Sequence, residues 1–355
     1  MRMRLTVAAM AVLTWPCIAA PQSDATIGGD RWELRVSRDT GTFDVLLEPI
    51  GGEARSIIRP EGERPWFGYN EGGREVRTSG VAAETRRGGK RGNVTVRCAL
   101  DEERQVHHEA TYRGLDDGVL VISQFAADSL PSADIIRVAP KLDIDVELLT
   151  HYAFSGPDGV QHAGAIADLG ERDSYAGVGG WGAGDVASGL DPSGPYMMLY
   201  NPELQISFGV IFPLHRTTWR GSRTFLQLYH GGANFWYMGY LSAPALRSEH
   251  AFVLYLRQTG DPADIHRDAP GLCREAVELI SSGAVDAPEL AGIADALQAV
   301  QSDLPTLTEA AEDAPPSREA WLARLMIRSA RQSAETDPIA AQLLLRRARF
   351  ELGIE

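Results

Sequence analysis

The chain has 355 residues, 44% of them apolar, with 34 basic and 48 acidic side chains and a formal charge of −14. That composition supports a substantial core and excludes wholesale disorder. It makes nucleic acid or an anionic membrane surface a poor partner, because phosphate contacts rely on clustered Lys and Arg. The length suits one large all-β domain or two ordinary ones.

The first residues carry a basic start (Arg2, Arg4), an apolar run over 5–15, and small residues ending at Ala19-Ala20. This is the pattern of a secretory signal. The run is too short for a bilayer-spanning helix, which needs roughly 20 apolar residues, and Pro16 interrupts it. No transmembrane segment is expected. Cleavage near residues 20–25 would remove Arg2 and Arg4, leave a mature chain of −16, and place the protein in the periplasm or outside the cell. There the compartment is oxidising, and Cys98 and Cys273 either form a disulfide or remain two buried thiols.

From 31 to 258 the apolar period is two, the signature of strands. Segments 32–38 and 42–47, joined through Asp39-Thr40-Gly41, predict a hairpin. Val94, Val96, Cys98 and Leu100 share one strand face; Val106, His108, Ala110 and Tyr112 share the next. Asp117-Gly118 then turns into 119–125. Segment 142–148 alternates apolar residues with Asp143, Asp145 and Glu147. Further strands are expected at 196–200, 204–212, 223–229, 235–240 and 250–257. So many short strands predict a mainly β fold, an antiparallel two-sheet sandwich over 26–260. Residues 51–91 read as loops, and the glycine-rich segment 177–195 around Trp181 as a long functional one.

After Gly260 the spacing turns helical, at 270–281, 287–300, 317–333 and 337–352, so 261–355 is expected to be a helical region. Ser317 is placed to cap one helix, and Asp337-Pro338 to open the last. Trp321, Leu322, Leu325, Met326 and Ser329 form a stripe expected to dock on the sandwich or within a helical hairpin; the alternative is a partner-binding helix pair. Residues 306–316 read as a linker.

The acidic residues of 142–148 are expected to form a solvated sheet face rather than a Ca²⁺ site. No zinc, serine-hydrolase or phosphate-loop pattern occurs. Asp168, Glu171 and Asp173 are expected to be solvated loop carboxylates, and no metal or cofactor is called for. The more suggestive set is aromatic and basic: His151, Trp181, His215, Arg216, Trp219, Arg220, Trp236 and Tyr237, in or near strand connections. Tryptophan offers area with a polar handle, and arginine grips a carboxylate through two parallel hydrogen bonds. In a saccharide cleft, Trp181, Trp219, Trp236 and Tyr237 would stack on sugar faces, and Arg216 and Arg220 would neutralise substrate charge. His151 or His215 would be the acid/base in an epimerisation or β-elimination, since imidazole titrates near working pH. Neither reaction needs a cofactor.

An aromatic opening strand and the turn through Asp39-Thr40-Gly41-Thr42-Phe43-Asp44-Val45, ahead of many antiparallel strands, resemble the galactose mutarotase-like β-supersandwich over 30–258. That architecture occurs in aldose epimerases and in accessory domains of glycoside hydrolases and polysaccharide lyases. The local contexts of the epimerases' histidine acid and glutamate base are not found here, so the resemblance implies a fold and no catalytic residue. The expectation is an exported carbohydrate-associated protein that binds or modifies an oligo- or polysaccharide. The alternative is a non-catalytic envelope scaffold acting through its C-terminal helices.

Overall fold

The computed structural model describes residues 25–36, 43–59, 68–71, 74–77, 81–86, 92–101, 106–129, 135–138, 141–156, 159–170, 174–176, 194–214, 222–242, 246–334 and 337–354. The signal-like start, Trp181 and the connection holding His215, Arg216, Trp219 and Arg220 lie outside them.

In chain order the strands begin with β1 (Ala25–Gly28), β2 (Trp32–Val36), β3 (Phe43–Leu47) and β4 (Arg55–Ser56), which form a four-stranded sheet. There follow β5 (Gly68–Glu71), β6 (Arg74–Arg77), β7 (Val81–Arg86), β8 (Asn93–Asp101), β9 (Val106–Gly114) and β10 (Gly118–Ala127). Next are β11 (Ile135–Val138), β12 (Lys141–Ile144), β13 (His151–Ser155), β14 (Gln161–Ala165) and β15 (Ser174–Ala176). The last strands are β16 (Tyr196–Asn201), β17 (Ile206–Ile211), β18 (Ser222–Tyr229), β19 (Gly232–Ser242) and β20 (Arg247–Tyr255). Among the described residues, a nine-stranded sheet runs β14-β13-β16-β17-β20-β10-β9-β8-β7. A seven-stranded sheet runs β15-β18-β19-β11-β5-β6, with β12 also paired to β19. All the paired strands are antiparallel. The protein is thus mainly β, a two-sheet sandwich with a C-terminal helical region.

The expected hairpin is present, with Trp32 opposite Leu47 and Val36 opposite Phe43. In β9 the even-numbered residues are buried and the odd-numbered ones half-exposed, as their alternation predicts. The sandwich core is an aromatic relay: Phe235 of the smaller sheet packs on Phe252 (centroids 5.1 Å apart), Phe208 (6.3 Å) and Phe43 (6.1 Å). Strand β10 is buried on both faces for nearly its whole length, which explains why Val119-Leu120-Val121-Ile122 is continuously apolar rather than alternating.

The outer face of the large sheet is covered by α1 (Pro262–Ser281) and the start of α2 (Pro288–Asp313). Ile265, Ala269, Leu272, Ala276 and Ile280 of α1 lie against Tyr196, Met198, Val253 and Tyr255. Gly209 permits the approach, since a Cβ there would lie 2.7 Å from Ile265 Cδ1. The far part of α2 leaves the sheet and packs instead with α3 (Arg318–Ser333) and α4 (Pro338–Glu351) around Leu307, Ile327 and Leu345.

Residues 51–91, expected to be loops, carry the short strands β4 to β7, which are held by pairing to neighbouring strands rather than by an apolar alternation of their own, and three further expectations need correction. First, the segment expected to be an acidic strand over 142–148 is a strand only to Ile144, then turns. Asp145 is buried, and its Oδ1 accepts hydrogen bonds from the backbone N–H groups of Glu147 (3.0 Å) and Leu148 (3.2 Å). A carboxylate able to cap its own turn competes with continuing the ladder. Second, α1 begins eight residues ahead of Pro270, with Asp261 as its cap, and α2 runs through Pro305 to Asp313 where a linker was expected. Burial of one face holds both helices through a proline. Third, the buried stripe of α3 is Ala320, Ala323, Ile327 and Ala330, while Trp321 and Leu325 face outward.

The caps agree with expectation. Ser317 Oγ accepts from Ala320 N–H at 3.0 Å, and Asp337 Oδ1 from Ala340 N–H at 3.0 Å.

Candidate functional site

Three polar constellations stand out among the described residues: a groove on the four-stranded sheet, a histidine pair inside the sandwich, and the seam beneath α1.

The groove follows from strand alternation. Trp32, Leu34 and Val36 point into the core, which leaves Arg31, Glu33 and Arg35 on the opposite, solvent-facing side of β2. Arg31 Nη2 donates to the Glu48 carbonyl at 2.7 Å, and Arg35 Nε donates to Glu33 Oε1 at 2.5 Å. The backbone folds tightly before the strand: Gly29 N–H donates to the Trp32 carbonyl at 2.9 Å. The indole lies so close that a Cβ at Gly29 would fall 2.1 Å from its Nε1. The result is a groove of about 210 Å³ bordered by Asp30, Arg31, Trp32, Glu33, Arg35 and Glu48. Three carboxylates and two guanidinium groups ring a volume that fits one small polar ring rather than a drug-sized apolar ligand. The sequence carries the signal for it in Gly28-Gly29 and in the alternating charges of Arg31, Glu33 and Arg35, although the alternation alone predicts only a hairpin strand.

The histidine pair lies on the inner face of the large sheet. His108 Nε2 and Ser123 Oγ are 2.8 Å apart, and the His108 ring stacks on Phe125 at 4.6 Å. His250 meets the same phenyl ring edge-on at 5.8 Å, with Ser248 Oγ 3.5 Å from its Nε2. Burial pushes both imidazoles down to about 3, and for His108 the neighbouring His250 and His107 add to the effect. Both are therefore neutral at pH 7. Groups with so low a pKa are weak bases, whereas a general base works best near the operating pH.

The seam pins α1 to the sheet. Tyr255 OH donates to Asp268 Oδ2 at 2.9 Å, and Arg257 Nη1 reaches the same oxygen at 2.8 Å. Burial first, then the charge of Asp268, drives the Tyr255 phenol far upward. Burial opposes the charge of Asp264, yet hydrogen bonds from Thr259 (2.6 Å) and Arg267 (2.5 Å) outweigh it and hold that carboxyl below its usual value. Tyr196 OH lies 2.9 Å from His266 Nδ1 and accepts from Gln161 Nε2, which also reaches the Pro262 carbonyl. The bonds of Tyr255 and Arg257 to Asp268, of Tyr196 to His266 and of Gln161 to Pro262 fasten the sheet to α1, and the others brace those groups within their own layer.

Of the residues expected in a saccharide cleft, His151 is described in full. It is half-buried at the head of β13, its Nδ1 2.9 Å from Thr150 Oγ1 and its ring 5.4 Å from that of Tyr200. Trp236 and Tyr237 occupy β19, opposite Phe225 and Thr224 of β18; their side chains lie outside the description, as do Trp181, His215, Arg216, Trp219 and Arg220 altogether. Cys273 is a free thiol, pushed up to about 12 by burial. It packs on the outer face of the large sheet, opposite the core on the inner face that holds Val94 and Val96 of β8. Of the two alternatives left open for Cys98 and Cys273, the free thiol is the one found at Cys273. Asp168 ends a single 3-10 turn, and among the described residues no three His, Cys, Asp or Glu side chains gather in a way that could hold a metal.

The fold and these sites define a two-sheet antiparallel β-sandwich with a docked helical region. Its architecture resembles that of galactose mutarotase-like proteins. The galactose mutarotase related enzyme of Lactobacillus acidophilus is 10% identical, covers 67% of this chain and 98% of its own, and superposes with a TM-score of 0.40. The α-N-acetylgalactosaminidase NagBb of Bifidobacterium bifidum is 11% identical over 73% of this chain and 41% of its own, with a TM-score of 0.47. A TPR-domain containing protein of Parabacteroides distasonis is 11% identical over 91% of this chain and 68% of its own, with a TM-score of 0.40. No protein-family model matches the chain, and no curated protein matches it by sequence.

Proposed function

We propose that this chain is an exported carbohydrate-binding protein that takes a sugar in the groove bordered by Trp32. The observation that carries the reading is the ring of Asp30, Arg31, Glu33, Arg35 and Glu48 around about 210 Å³. Carboxylates accept from adjacent hydroxyls, and guanidinium groups donate to hydroxyl or carboxylate oxygens in a fixed planar fork. A small, wet, charged concavity of this kind matches a polyhydroxylated ring better than an apolar ligand. Independently of that groove, the sequence alone offers Trp181, Trp219, Trp236 and Tyr237 for stacking on sugar faces and Arg216 and Arg220 for neutralising substrate charge. His151 or His215 would be the acid/base if the glycan is turned over.

The test is a glycan-array screen of the folded chain, neutral and uronic polysaccharides included, followed by titration of Arg31→Ala and Glu48→Ala. Binding that weakens at least tenfold in both variants is expected. Binding untouched by either substitution, or none to any glycan, overturns the reading.

A second reading is favoured by one observation. The outward faces of α3 and α4 carry large apolar side chains in water, as the helices of an interaction module would.

A further inference from the structure

Helices α3 and α4 each carry two apolar stripes. The inner ones, Ala320-Ala323-Ile327-Ala330 and Pro338-Ala341-Leu345-Ala348, are buried. The outer ones are Trp321 and Leu325 on α3, and Ile339, Leu343 and Phe350 on α4. Spacings of four and seven residues put each outer set on one helical face, roughly opposite the buried one. These side chains are largely in water: Trp321 is 61% exposed, Leu343 59% and Phe350 70%. Isolated exposed leucines need no explanation, but aligned large apolar residues mark interaction sites.

Charge sorts by face in the same way. The two helices hold seven arginines and two glutamates in a chain of net charge −14. Three of the arginines serve α2. Arg349 pairs with Asp303 at 3.0 Å, Arg324 donates to the carbonyls of Ala311 and Ala314, and Arg331 to Thr308 Oγ1. Helix α2 has six acidic residues and no basic one. The inner face of the α3–α4 pair thus already seats the acidic helix α2 through alanines, aliphatics and arginines, one of which, Arg349, meets a carboxylate. Arg318 and Arg328 flank the outer stripe of α3, and Arg346 and Arg347 that of α4, all four exposed. Arg347 lies over the Phe350 ring at 4.8 Å and pairs with Glu351. The outer face repeats the chemistry of the inner one.

We propose that the outer face of α3 and α4 docks an acidic amphipathic helix of a partner protein. The partner's apolar side chains would cover Trp321, Leu325, Ile339, Leu343 and Phe350, and its carboxylates would meet Arg318, Arg328, Arg346 and Arg347. This inference rests on the second reading above and gives that partner its chemistry. Helix-in-groove recognition works through such spaced anchors, and aromatic and arginine side chains dominate interface energetics.

The experiment uses the full chain and three probes: a labelled leucine–glutamate amphipathic helical peptide, a leucine–lysine peptide of the same apolar pattern, and phosphatidylcholine–phosphatidylglycerol vesicles. Trp321→Ser and Phe350→Ser test the apolar anchors, and the Arg318→Glu/Arg346→Glu double variant tests the charge. Thermal melts like the parent's show that these surface changes leave the fold intact. Saturable binding of the leucine–glutamate peptide is expected, at least tenfold tighter than the leucine–lysine one. It should weaken at least tenfold in each variant and weaken with added salt. Equal or better binding of the basic peptide, binding of vesicles alone, or Trp321-dependent self-association of the chain overturns the acidic-helix proposal while sparing the interaction reading. No binding of any probe, with no self-association, overturns both.

Discussion

Glu249 Oε2 accepts a hydrogen bond at 3.2 Å from the backbone N–H of Leu290, joining the outer face of β20 to the first turn of α2. That helix lacks a side-chain cap of its own, with Ala287 in the cap position. A buried carboxylate from the sheet supplies the missing acceptor and favours the positive end of the helix. Gln124, one strand over, donates to the Asp286 carbonyl beside it. Arg247, 3.7 Å away, balances part of the Glu249 charge.

Glu249→Ala should therefore destabilise the whole protein by about 1–3 kcal/mol, the cost of a lost cap and an orphaned buried donor. Denaturant unfolding measures it, and hydrogen exchange should show faster amide opening in the first turn of α2. A variant as stable as the parent would mean that the contact contributes little.

The histidine pair makes stability depend on pH. His108 and His250 sit near 3 when folded, against about 6.5 in an unfolded chain. With folded values depressed, the unfolded state binds protons first. The full stability is present above pH 6.5 and is lost as pH falls from there toward 3. The loss approaches about 1.4 kcal/mol per pH unit for each imidazole. Urea unfolding at pH 7 and pH 5 should differ accordingly, and His250→Gln should remove about half of the difference, leaving the His108 share. A parent slope of zero across that window would contradict the neutral buried pair.

Asp145→Ala removes the acceptor for two backbone N–H groups of its turn and the partner of Arg55 at 3.6 Å. A loss of about 1–2 kcal/mol is expected. Asp145→Asn keeps an oxygen in place and should lose less than half of that. Equal losses would assign the effect to the charge rather than to the turn.

Two glycines should respond with opposite signs. A Cβ at Gly118 would fall 2.2 Å from the Leu254 carbonyl oxygen on the adjacent strand, so Gly118→Ala must shift the backbone and cost about 1–3 kcal/mol. Gly271 lies inside α1 with open space around its Cβ position, and Gly271→Ala should stabilise by about 0.5–1 kcal/mol. Melting temperatures of the two variants on either side of the parent's decide the matter.

Where one periodicity admits a single solution, the sequence was enough. Val106, His108, Ala110 and Tyr112 of β9 had to share a face, because a one-residue slip would turn all four to water. Ser317 and Asp337 announced their helices, since a capping side chain acts within three residues of itself. Asp145 misled because its alternation fitted a strand while its carboxylate had closer backbone donors to satisfy. Pro270 and Pro305 misled because a proline weighs against a helix locally, while the cost of one lost hydrogen bond is met by a buried face that no local window contains. The charged groove beside Trp32 was legible as alternation, but its concavity was not.

The sequence by itself determined the antiparallel sandwich, the change to helix after Gly260 and the caps of α3 and α4, because each depends on neighbours within a turn or a strand. Only the tertiary structure decided that α3 turns Ala323 and Ile327 inward and leaves Trp321 in water. It also decided that Glu249 caps a helix 41 residues away, and that Cys273 stands on the opposite side of the sheet from the Val94–Val96 core. Helical period reports that stripes exist, while the choice of which to bury follows from how closely α2 must approach. Alanines admit it nearer than an indole could.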